Sequence, residues 1–392
     1  MKPIYILIGL LSLSIYCRAQ ANLDRILQQV EENNKELQAN KALIQSQKLE
    51  VQTINNLADP QFSYSHVWNS KESSMTAGEL TLTQSFDFPS LYFSRNKVKN
   101  YQLNTYNYQA EAIRQNILLQ AKQICLDIIA LQQQKEILKE RLSQTHKLYE
   151  LYQERLAQGD ANILETNKVK LELLNATTEW QLKEKEWNNK KEELQALNGN
   201  QAVELPFLKV KRTPLPASFE EVKQIYITED FNLLALDEAM KANQKQITVN
   251  RSYWLPKLEL VYKRTSEANI HFNGIVVGFS IPLFENRKKT KIAKAQALNI
   301  SLEKEEQHVQ TETQLKQAYQ EALSLYESLL AYDQQFKATA DLGLLLEALN
   351  GGQISLIEFF TEATIIYQSQ LNYIDLENQY EKAMALLYKN EL

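Results

Sequence analysis

Four histidines, His66, His146, His271 and His308, are the side chains best suited to proton transfer or metal ligation near neutral pH. They are scattered, with no partner at metal-ligand spacing. There is no glycine-rich phosphate loop and no nucleophile elbow. Carboxylates are abundant but fall on helical faces, where solvated charge is the usual role. Cys125 sits among Ile124, Ile128 and Leu131 and reads as core. The pattern predicts no catalytic residue, no cofactor and no metal site, so the chain is expected not to be an enzyme.

The ends of the chain narrow the class. Lys2 precedes an apolar run from Ile4 to Tyr16, and Cys17-Arg18-Ala19 follows, so residues 1–19 read as a signal peptide cut after Ala19. The run is too short for a membrane helix of about 20 residues. Lipidation at Cys17 is disfavoured by the bulk of Tyr16 before it. Without Lys2 and Arg18, the 43 basic residues become 41 against 48 acidic ones, a net charge of −7 that argues against a nucleic-acid partner. The mature sequence has no apolar stretch long enough for a membrane helix, so an envelope protein of this kind must be soluble there or span as a β-barrel.

The sequence contains one unit twice: residues 20–198 and 218–392, joined by a proline-bearing linker over 199–217. Each unit opens with a helical stretch, 23–57 and 219–254, that stops at Asp59-Pro60 or Leu255-Pro256, where proline pushes the preceding residue out of helix. The apolar period then switches to two. Strands are expected over 60–69 and 78–88, with Phe62, Tyr64, Leu80 and Leu82 on one face, and over 257–265 and 273–284, with Leu258, Leu260, Val277 and Phe279 on one face.

Long helices are expected over 95–158 and 287–350. Ile117, Ile124, Ile128, Leu131, Leu138, Leu142, Tyr149, Tyr152 and Leu156 step by sevens, fours and threes, the seam of a coiled coil. About 64 residues of helix reach roughly 95 Å, which a compact globular domain does not need. Each long helix stops at glycine, Gly159-Asp160 or Gly351-Gly352. The next helices, 162–198 and 355–390, begin with Asn162…Glu165 and Ser355…Glu358, two capping boxes. The expected fold is mainly α with a small β part: a β-hairpin plus a long helical hairpin, duplicated.

Four strands cannot close a barrel, and open edges are not tolerated in lipid, so the chain must oligomerise. Three copies give twelve strands, within the range of outer-membrane barrels.

The helix exits Ala58-Asp59-Pro60 and Trp254-Leu255-Pro256, the strand ends Gln84-Ser85-Phe86-Asp87-Phe88-Pro89 and Phe279-Ser280-Ile281-Pro282-Leu283-Phe284, and the turns Gly159 to Glu165 and Gly352 to Glu358 give the chain its likeness. In this order, spacing and duplication they resemble the TolC family of outer-membrane efflux proteins over essentially the whole mature chain. Phe86-Asp87-Phe88-Pro89 and the short linker look similar to the branch associated with heavy-metal efflux.

The resemblance implies a homotrimer with a 12-stranded barrel in outer-membrane lipid and a helical tunnel crossing the periplasm. It also implies docking on a periplasmic adaptor of an inner-membrane pump. On it, Gly159, Asp160, Gly351 and Gly352 are the expected adaptor-contacting tips, Glu358 the pore entrance, and Leu80, Leu82, Val277 and Phe279 the lipid-facing strand residues. The contrasting reading, from a different class, is an exported coiled-coil scaffold or adhesin with no pore; it gives no reason for two amphipathic hairpins at matching positions.

Overall fold

The computed structural model describes residues 23–68, 76–203, 211–267, 270–338 and 342–392. The expected leader over 1–19, Cys17 and the outer tip of the first strand hairpin lie outside these residues. The described chain is mainly helical, with one four-stranded antiparallel sheet.

The first repeat opens with α1 (23–33) and α2 (Lys35–Gln52), then a 3-10 turn at Thr53–Asn55. Strands β1 (Gln61–Trp68) and β2 (Thr76–Phe86) follow, then α3 (Pro89–Gln158) and α4 (Ile163–Leu197). The second repeat runs α5 (Phe219–Glu229), α6 (Phe231–Ser252), β3 (Lys257–Glu267), β4 (Ile270–Ser280), α7 (Lys289–Ala338), α8 (Leu342–Asn350) and α9 (Leu356–Leu387).

Several boundaries differ from the sequence expectation. The stretches expected as single helices over 23–57 and 219–254 are broken at Asn34 and Asp230. Asn34 is buried; its Oδ1 accepts the Leu37 N–H at 2.8 Å and its Nδ2 donates to the Leu197 carbonyl at 2.7 Å. Asp230 is also buried, and its Oδ1 accepts the Leu233 N–H at 2.9 Å. Both side chains supply the acceptor that starts a new helix, at equivalent places in the two repeats. The long helix expected from Arg95 starts instead at Pro89, because proline is pre-set for the first helical position and its missing N–H costs nothing there. In the second repeat α7 starts at Lys289, two residues later than expected.

The described residues form two compact units, each drawing on both repeats: one of 23–39, 113–229 and 311–392, the other of 40–112 and 230–310. In the first unit, Ile26 and Val30 of α1 pack on Ile117, Ala121, Ile124 and Ile128 of α3 and Leu194 of α4. Val222 and Tyr226 of α5 pack in the same manner on Leu315, Ala318, Ala322 and Leu329 of α7 and Tyr380 and Met384 of α9. These are two copies of one three-helix arrangement. Cys125 is buried in the first, and burial pushes its thiol up to about 12. The second unit holds the sheet and a small cluster of Leu91, Val98 and Val249.

Candidate functional site

The sheet is a meander in the order β1-β2-β3-β4. Its register sorts the strands into two unlike faces. One row is Phe62, Leu82, Tyr262 and Ile275, flanked on the same face by Leu260 opposite Val277 and Leu258 opposite Phe279. The next row on the opposite face is Ser63, Thr81, Lys263 and Gly274, and Lys263 pairs with Glu79 at 2.7 Å. Val277, Phe279 and Leu82 are 73%, 69% and 43% exposed, while Leu80, opposite Arg264, is half-buried. The four residues expected to face lipid therefore share one face, and that face has no cover among the described residues. Every residue of β1 is exposed, and β1 and β4 are the two edges of the sheet. An apolar face of this extent with open edges is an aggregation hazard in water.

The helical turns have matching chemistry. At the end of α3, Gly159 has φ +80°, its N–H bonds the Leu156 carbonyl at 3.1 Å, and the Asp160 N–H bonds the Arg155 carbonyl at 2.8 Å. At the end of α8, Gly352 has φ +68°, its N–H bonds the Leu349 carbonyl at 3.1 Å, and the Gln353 N–H bonds the Ala348 carbonyl at 2.8 Å. These are two Schellman stops with glycine in the left-handed position. Gly352 is thus the counterpart of Gly159, and Gly351 still belongs to the helix end. A Cβ at Gly159 or Gly352 meets nothing, so only the backbone angle demands glycine there.

Both capping boxes are formed: Asn162 with Glu165, and Ser355 with Glu358. The Glu358 carboxylate accepts the Ser355 N–H at 2.7 Å, which holds it below the usual carboxylate range although it is exposed. Leu148, Tyr152, Val169, Leu349, Leu356 and Phe359 form one core, with Ala161 and Ile354 packed on it. That core brings the two turns side by side. Thr361 donates to the Ile357 carbonyl at 2.9 Å and supplies no second charge beside Glu358.

Several polar anchors were not picked out from the sequence. Arg141 pairs with Glu172 and, at 2.7 Å, with Glu179; it also lies over the Tyr367 ring. The Tyr367 hydroxyl, pushed up to about 12 by burial, donates to Gln144 at 2.8 Å. Glu381 accepts the Thr213 N–H and hydroxyl, both at 2.7 Å, and so ties the described end of the linker to α9. Only a pairing of Arg141 with Glu172 and Glu179 across the glycine turn could have signalled the first of these. Among the described residues no group of three His, Cys, Asp or Glu is placed to hold a metal ion, and no helix is long and apolar enough to cross a membrane.

Residues 224–390 match the family model of outer membrane efflux proteins. No curated protein matches the chain. The fold is similar to that of CusC, with a TM-score of 0.77 and 15% identity over 94% of this chain and 92% of that one. It is similar to CmeC of Campylobacter jejuni, an outer membrane channel, with a TM-score of 0.76 and 15% identity over 94% and 85%. It is also similar to the outer membrane protein VceC of Vibrio cholerae, with a TM-score of 0.75 and 15% identity over 96% and 97%. The second repeat thus matches the model of the outer membrane efflux proteins, and the fold shared with these solved structures extends through both repeats.

Proposed function

We propose that three copies of the chain assemble into a passive exit duct, with twelve strands in the outer membrane and the helices in the periplasm. Proteins of this family are channels of tripartite efflux systems and perform no chemistry. The observation that carries the reading for this chain is the sheet: one apolar face, one polar face and two open edges. In a closed barrel the apolar face meets lipid, the Lys263–Glu79 face lines water, and β4 of one copy pairs with β1 of the next. The energy comes from an inner-membrane pump, and the turns at Gly159-Asp160 and Gly351-Gly352 dock its periplasmic adaptor. Glu358, repeated three times, lines the entrance and favours cations there. Purified protein in a planar bilayer tests the duct. Discrete conductance steps and a heat-sensitive trimer band are expected; recovery as a soluble monomer or dimer without detergent would return the chain to the scaffold class.

A further inference from the structure

The segment between β4 and α7 carries a surface for which an exit duct alone has no use. Ile281, Leu283 and Phe284 are 63%, 59% and 73% exposed. Arg287, Lys288 and Lys291 follow directly, all exposed and without an ion-pair partner among the described residues. The Arg287 guanidinium lies 5.4 Å from the centre of the Phe284 ring.

The segment is held in place. Asn286 is buried, donates its side-chain amide to the Tyr253 carbonyl, and accepts from the Lys289 ammonium at 3.0 Å. Its acid, Glu285, lies 3.6 Å from Lys257, which takes that charge away from the basic run. The matching stretch of the first repeat differs. There Arg95 is held by Asp87 at 2.7 Å and by the Tyr253 hydroxyl at 3.3 Å, and its side chain is only 11% exposed. Only the second repeat turns its arginine outward beside bare apolar side chains. Lysines crowd the start of α7, whose first turn has no acid, an unfavourable arrangement at the positive end of a helix unless an anion is near.

We infer that this surface binds the headgroup of an anionic glycerophospholipid of the inner leaflet. Arg287 and Lys288 take the phosphate, and Leu283 and Phe284 take the start of the acyl chains. The inference rests on the outer-membrane reading, which puts the helix-side end of β4 at the periplasmic boundary of the bilayer. The charge complementarity and the adjoining apolar side chains favour a lipid over a free anion, because a free anion has no use for Leu283 and Phe284.

Native mass spectrometry of the delipidated full-length trimer, offered equal amounts of dioleoylphosphatidylglycerol and dioleoylphosphatidylcholine, tests it. The anionic lipid should be retained about ten-fold or more over the neutral one, the scale set by two basic residues at a lipid surface. Arg287→Ser with Lys288→Ser should bring the two lipids near parity, and Phe284→Ser should weaken retention of both. Equal retention by the parent protein, or an unchanged preference in the double variant, overturns the site. So does displacement by inorganic phosphate combined with no effect of Phe284→Ser, which is the behaviour of a plain anion site. Conductance in a phosphatidylcholine bilayer separates the two readings. Steps without any lipid preference remove the site and leave the duct standing, whereas no steps from the parent protein remove the duct.

Discussion

The Glu358 carboxylate is both the second half of a capping box and the charge proposed for the channel entrance. Glutamine can accept the same Ser355 N–H but lacks the charge, so Glu358→Gln should lower the trimer's melting only slightly while reducing cation preference in single-channel recordings; an unaltered reversal potential in a salt gradient would rule out the entrance role. Because the fold lowers its pKa, the support Glu358 gives to α9 is present above the unfolded value and is lost as pH falls through the folded one. Glu381 behaves in the opposite sense. Burial raises its pKa from 4.5, against the opposing hydrogen bonds from Thr213. Its stabilising contribution is therefore complete below the unfolded value and declines as pH rises through the folded one. Glutamine reproduces the protonated form, donating to the Thr213 hydroxyl and accepting its N–H. Glu381→Gln should therefore lose less melting temperature than the parent protein as pH rises above the unfolded carboxylate value. The capping role of Glu358 was legible in Ser355…Glu358, whereas that of Glu381 was not, because its burial depends on a linker residue 168 positions away.

Among the elements, the duplicated strands, long helices and glycine turns were legible because each has its own period or stop signal. The breaks at Asn34 and Asp230 were not. The apolar spacing runs straight through them, from Val30 to Leu37 and from Tyr226 to Leu233, so the heptad pattern conceals a change that only a capping side chain makes. Asp230→Ala should destabilise the protein by about 1 kcal/mol, read as a lower melting temperature of the trimer. Gly199 is a sharper case. Its φ is +64°, and an added Cβ collides with the Asn33 carbonyl oxygen, whereas Gly352 has only the angle to lose. Gly199→Ala should therefore cost about 2 kcal/mol or more and Gly352→Ala about 1 kcal/mol, with melting again the measure. A bulky residue at Gly352 should abolish efflux while the trimer still reaches the membrane. On the sheet, Val277→Arg should cost about 2 to 4 kcal/mol at the bilayer centre and prevent outer-membrane assembly, while Thr81→Arg on the other face should not. Equal recovery of both variants in outer-membrane fractions would mean that the faces are assigned the wrong way round.

At the scale of the molecule, the sequence was informative about what a single copy lacks. Four strands with two open edges demand neighbours, and that demand is visible in the strand count itself. The lumen of the proposed duct was not visible, because three chains would supply its walls and no spacing within one chain encodes them. The exposure of β1 along its whole length has a consequence in time. The helical cores around Ile124 and Leu329 gather residues buried within one chain, but the sheet keeps one face bare and gains its missing partners only from other copies and from lipid. The newly exported chain should therefore cross the periplasm with its helices folded and its strands still exchanging with solvent. Pulsed hydrogen exchange should show protection of α3 and α9 amides first, and protection of the β1 and β4 amides at a rate that rises with protein concentration.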